Sequence, residues 1–203
     1  MMHARMNMLA GDPAQLDEAT RYLVGTVRPH VEAQHGNRGL ACFVNRDLGI
    51  CVAASYWDSL DAMTASEQAV QISRKEVAER LGASVTVEQY EVPVFVRRSR
   101  PQEGAGARIA RIDCAPADID SFTGVFRATG VPALMDANGL CSAQLMTDRA
   151  SGRCMVITAW QDHDALAASR AATARMRTDA AAVTHVQIRG VEEYQVVFSS
   201  VRE

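Results

Sequence analysis

The side chains of this chain that could do chemistry are few, and most of them occur twice. Trp57 (SYWDSLDAM) and Trp160 (TAWQDHDAL) each end an apolar stretch just before a segment of helical spacing. An indole so placed can stack on a flat aromatic ligand, or fill the space beneath a helix. Of the four phenols, Tyr22 and Tyr56 are candidate proton donors, while Tyr90 and Tyr194 recur inside VEQYEV and VEEYQV and read as packing residues. Asn7 is a lone carboxamide among the apolar residues of RMNML. On a strand it faces either a helix-covered pocket or, as surface asparagines do, solvent. His30 and His35 are five apart, which on a helix puts them on different faces, and Glu32 does not complete a metal site. Cys42, Cys51, Cys114, Cys141 and Cys154 form no CxxC pair and mostly lie in apolar segments, as buried reduced thiols do. GxSxG, Walker and GxGxxG patterns are absent. The expectation is no metal and no cofactor.

The elements that must position these residues are themselves repeated. Ala4, Arg5, Pro13, Ala14 and Asp17 recur as Ala107, Arg108, Pro116, Ala117 and Asp120, an offset of 103 residues. Arg46, Gly49, Cys51, Trp57, Ala62 and Ser66 recur at the same offset as Arg149, Gly152, Cys154, Trp160, Ala165 and Ser169. VEQYEV and VEEYQV follow at 104. Blocks in one order at nearly one offset indicate duplication. The expected domains are 1–96 and 107–203, with the polar segment Arg97–Gly106 (RRSRPQEGAG) as linker.

Each copy reads strand, helix, strand, strand, helix, strand. In the first, Arg5–Leu9 is a strand, Asp12 an N-cap and Pro13 the first helical residue. Leu16, Ala19, Leu23, Val27 and Val31 then form one apolar face, ending near Gly36. Leu40–Asn45 and Ile50–Trp57 make a hairpin around Arg46–Gly49. The spacing predicts one helix over Ser59–Leu81, burying Leu60, Met63, Val70, Val77 and Leu81 and stopping at Gly82. Val85–Val96 is the closing strand, where Pro93 marks an edge or a bulge. The second copy follows the same plan. The fold class is therefore α+β: two ferredoxin-like βαββαβ units whose antiparallel sheets, with helices on one face, pack face to face.

Across 203 residues, 48% are hydrophobic and 22% charged, with a net charge of −3. Arginines are interleaved with acids, which argues against nucleic acid as a partner. No apolar run suits a membrane span or a signal peptide, so a cytoplasmic protein is expected.

The order of elements, with a tryptophan ending the hairpin and a long final strand, resembles the dimeric α/β-barrel superfamily, and within it the antibiotic-biosynthesis monooxygenase-like domains. Nearly the whole chain is covered, as two copies. The resemblance implies an intramolecular version of the barrel, either a monomer acting as a pseudo-dimer or a homodimer. It implies a pocket between sheet and helices for a small hydrophobic or aromatic molecule. Some oxygenases of this family have a pocket asparagine on the first strand, where Asn7 stands; the second copy has Ala110 there. Its haem degraders use a histidine on the second helix, where Ser66 and Ser169 stand. The implied activity is a cofactor-independent monooxygenase acting on a small aromatic or quinol-like substrate, with Asn7, Trp57 and Tyr56 as site residues. A non-catalytic binding or assembly protein of the same fold is the alternative, and a pair of ACT-like regulatory modules is a third reading.

Overall fold

A computed structural model describes residues 1–202. Strand β1 (Met2–Ala10) turns Arg5, Asn7 and Leu9 towards the helices of the first unit. Asp12 accepts from the Ala14 N–H at 2.9 Å, and Pro13 opens a 3-10 turn that leads into α1 (Leu16–Tyr22). The helix then widens into a π turn (Leu23–Val27) before α2 (Arg28–Glu32). Pro29 supplies the reason. It has no N–H for the carbonyl four residues back, and the wider turn accommodates that gap. The second unit repeats the device, with a π turn over Phe126–Gly130 ahead of Pro132.

The hairpin of β2 (Asn37–Asn45) and β3 (Ile50–Trp57) turns through Gly49, at φ +62°. A Cβ there would lie 2.2 Å from the Gly11 carbonyl oxygen, so both conformation and space demand glycine. Gly152 holds the equivalent corner at φ +78°, with the Cys114 carbonyl oxygen 2.1 Å from a built Cβ.

One expected helix is two. Helix α3 (Leu60–Ala65), capped by Ser59, gives way at Ser66 to α4 (Glu67–Leu81), which stops at left-handed Gly82. The Arg5 guanidinium is the cause: it donates to the Met63 carbonyl at 2.5 Å and to Ser66 Oγ at 3.1 Å. The Ser66 hydroxyl donates to the same carbonyl at 2.7 Å. That acceptor is thus taken by side chains where the helix ladder would otherwise run through. Leu60, at the start of α3, is exposed rather than buried. The remaining stripe, Met63, Val70, Val77 and Leu81, packs with Leu16, Leu23, Val27, Val31 and Trp57 in the first unit's core.

After β4 (Ser84–Arg97) the plan repeats: β5 (Gly106–Asp113), α5 (Ile119–Val125), α6 (Val131–Met135), β6 (Leu140–Thr147), β7 (Arg153–Trp160), α7 (His163–Ala168), α8 (Arg170–Thr184) and β8 (Gln187–Ser199). Its core gathers Ile119, Phe122, Phe126, Leu134, Trp160 and Leu166. Within the first unit β3 lies between β1 and β2, and within the second β7 lies between β5 and β6, every pair antiparallel.

Chain contacts divide into two compact units, Met1–Tyr90 with the segment from Val196 onwards, and Glu91–Gln195. The closing strand of each repeat thus belongs to both. In one unit β1 and β2 flank β3, and the end of the chain joins β2 through Ser200 N to Leu40 O at 2.8 Å. In the other, β5 pairs with β7 and β8, and the second half of β4 pairs with β6. Pro93 lies where the β4–β6 register shifts, between Glu91 and Val94, which is the bulge its missing N–H calls for. Among the described residues, no helix is long and apolar enough to cross a membrane.

Candidate functional site

The two units carry the same cavity. In the first, a space of about 50 Å³ lies between β1, β3 and the helices. Arg5, Asn7, Ser55, Ser73 and Arg74 supply its polar groups, and residues such as Leu23, Val27 and Val77 supply the rest. The second unit has its own space of about 50 Å³, lined by Arg108, Ala110, Thr158, Met176 and Arg177 at the same repeat positions. Each is room for a few water molecules, so a larger ligand requires side chains to move aside.

Asn7 lines this cavity and is half-buried there. Its Nδ2 donates to the Ala53 carbonyl at 3.1 Å, and its Oδ1 accepts from Arg74 Nε at 2.8 Å. A guanidinium only donates, so this contact also settles which end of the amide is oxygen. Arg74 in turn holds both oxygens of Glu67, at 3.0 and 3.3 Å, and Arg5 reaches Glu67 at 2.9 Å. Two donors are left over at the wall: the second N–H of Asn7 and Nε of Arg5, which is buried without a partner. Burial, outweighing Glu67, pushes the Arg5 guanidinium below its ordinary value.

Trp57 and Tyr56 are both fully buried but do not line the cavity. Trp57 shares a face with Ser55, to which its indole N–H donates at 3.0 Å, and belongs to the core beneath it. Its ring lies 5.8 Å from the Arg5 guanidinium carbon, so it reaches the site through that arginine. Tyr56 projects from the opposite face of β3, by the alternation of a strand. Sequence reasoning passed over Arg5 and Arg74, although Arg5 is two residues from Asn7 on a period-two strand and recurs as Arg108. Ser66 and Ser169 are buried, with their hydroxyls engaged by Arg5 and Arg108, so neither position offers an axial ligand to haem iron.

The second unit neutralises its buried arginine differently. Arg108 donates to Ser169 Oγ, Thr173 Oγ1 and the Leu166 carbonyl, each at 2.8 Å. Its carboxylate comes from Glu193 on β8, 2.8 Å away, and Arg170 on α8 stands where the first unit has Glu67. Hydrogen bonds from Arg170, and then Arg108, hold the Glu193 carboxyl down at about 2 against the burial that opposes them. Because this value lies below that of an unfolded glutamate, the stabilisation is complete above about pH 4.5 and is lost as pH falls towards 2. After allowance for partial exposure it amounts to roughly 2 kcal/mol. Thermal melts over that range should show Glu193→Gln less stable at pH 7 and level with the parent chain near pH 2. A constant difference at every pH would contradict this account.

No protein-family model matches the chain. The fold is similar to that of a solved ferredoxin-fold protein related to antibiotic biosynthesis monooxygenases and of structures described as monooxygenases. A structure from Fusobacterium nucleatum, described as a proposed monooxygenase, matches with TM-score 0.71 and 15% identity over 99% of this chain and 94% of its own. The structure of an anthrone oxidase-like protein matches with TM-score 0.66 and 14% identity over 98% and 92%. In sequence, Uncharacterized protein Rv2557 of Mycobacterium tuberculosis is 28% identical over 170 residues, 84% of this chain and 76% of that protein. At these identities the structural likeness is one of fold.

Proposed function

We propose that the chain is a cofactor-independent monooxygenase for a small aromatic or quinol-like substrate, taken up by the first-unit cavity. The observation that carries this reading is the pair of unspent donors on Asn7 and Arg5 at a mostly apolar wall. They suit the oxygen of a phenolate or enolate. Preorganised donors stabilise such an anion strongly where water is excluded. The fold of an anthrone oxidase-like protein is in keeping with this chemistry. For an anthrone, the reaction converts a ring CH2 to a carbonyl: dioxygen supplies that oxygen and its second atom leaves as water with the two hydrogens. The substrate anion is the electron donor, so no resident cofactor is called for.

The cavity lining contains no carboxylate, imidazole or phenol to act as base. The substrate must therefore enter ionised or lose its proton to water, with Arg5 and Arg74 lowering its pKa. Trp57 acts here as a positioning residue, through Arg5. The test is oxygen uptake with an anthrone. Asn7→Ala is expected to lower kcat/KM by about 100-fold, as loss of one oxyanion donor does, with the fold intact by circular dichroism. The missing base also favours a second reading, a non-catalytic binder of small hydrophobic molecules. Anthrone binding without any oxygen uptake by the parent chain would replace the enzyme by that reading.

A further inference from the structure

The second cavity differs from the first in its charge balance. Arg74 of the first unit is fully engaged, by Asn7 and by both oxygens of Glu67. Its counterpart Arg177 lines the second cavity, half-buried, and makes no hydrogen bond or salt bridge among the described residues. Both of the partners it would have had are changed: Asn7 has become Ala110 and Glu67 has become Arg170. The one carboxylate nearby, Glu193, is spent on Arg108 at 2.8 Å and on Arg170 at 2.5 Å. Three guanidinium groups therefore share one carboxylate beside an apolar wall containing Phe122, Phe126 and Met176. Burial, and then the like charge of Arg108, weigh against the cationic form of Arg177, and the attraction of Glu193, which makes no salt bridge to it, offsets them only in part. An unpaired charge in such a place is costly, and an anion brought in from outside relieves it.

We propose that the second-unit cavity binds a small apolar carboxylate, its two oxygens taken by the free guanidinium fork of Arg177 and its hydrocarbon body lying on Phe122, Phe126 and Met176. A planar fork matches a carboxylate in a bidentate pair. The apolar lining suits a monoanion with a hydrocarbon body better than a phosphate dianion, which needs solvation on every side. This site is separate from the one proposed for oxidation, and neither depends on the other.

The test is titration of the whole chain with benzoate and with benzamide, its uncharged counterpart, followed by calorimetry and by the methyl NMR signal of Met176. Benzoate is expected to bind at least about tenfold more tightly than benzamide and to shift that methyl. Arg177→Gln, which removes an unpaired cation and so keeps the fold, should weaken benzoate by roughly 10- to 100-fold and leave benzamide unchanged. Ala110→Asn, which restores the internal partner seen in the first unit, should weaken benzoate as well. Arg74→Gln should have no effect on benzoate. Equal binding of the two probes, no binding of benzoate, or sensitivity to Arg74→Gln in place of Arg177→Gln overturns the proposal.

Discussion

Arg108→Met is expected to destabilise the second unit by about 3–5 kcal/mol, among the largest effects of any single substitution in the chain. Arg108 is only 3% exposed and joins three elements: it spans from β5 to Leu166 and Ser169 at the break between α7 and α8, and to Glu193 on β8. Methionine replaces the aliphatic stem but none of the donors. The Leu166 carbonyl and the Ser169 and Thr173 hydroxyls each lose a charged partner, and Glu193 loses the buried one of its two arginine salt bridges. Arg5→Met should cost less, about 1–3 kcal/mol. Its carboxylate partner Glu67 is 41% exposed and can turn to water, and Arg5 Nε has no bond to lose. Urea unfolding followed by circular dichroism gives both values. Equal costs, or less than about 1 kcal/mol at Arg108, would contradict this reading of the two networks.

Trp160→Ala and Trp57→Ala are each expected to cost about 3–5 kcal/mol. Both indoles are 0% exposed, and each donates at 3.0 Å to a hydroxyl two residues earlier on the same strand face, Thr158 Oγ1 and Ser55 Oγ. Alanine leaves a large void under the helices and frees a buried hydroxyl from its partner. The chain has two tryptophans, so each variant retains one fluorophore. The emission of Trp57 then reports on the first unit while Trp160 is absent, and the reverse. A cost below about 1 kcal/mol would mean that the neighbouring side chains collapse into the void.

Much of this architecture is legible in the sequence because the repeat supplies each element twice. The Asp12 cap, the Gly49 and Gly152 corners, the stop at Gly82 and the bulge at Pro93 all follow from local chemistry. The break at Ser66 does not, because apolar spacing continues across it from Met63 to Val70. What interrupts the helix is an arginine 61 residues away, and the clue is that Arg108 and Ser169 are also 61 apart. The candidate site was read in part. Asn7 is legible through the resemblance, which places a pocket asparagine on the first strand, and it lines the cavity. Its partners Arg5 and Arg74 escaped notice because arginine ordinarily points to solvent. Tyr56 is a phenol that could donate a proton, but it follows Ser55 on the strand, where neighbours face opposite ways, and it lies outside the cavity lining. The sharing of β4 and β8 between units depends on long-range pairing, which no local pattern encodes.

The carboxylate facing the buried arginine is not tied to one element of the fold. It sits on a helix in one copy, as Glu67, and on a strand in the other, as Glu193, where the first copy has Gln89. What the two copies share is thus the charge balance at the arginine and not the position of the acid, so a carboxylate supplied from either element pairs the same buried cation.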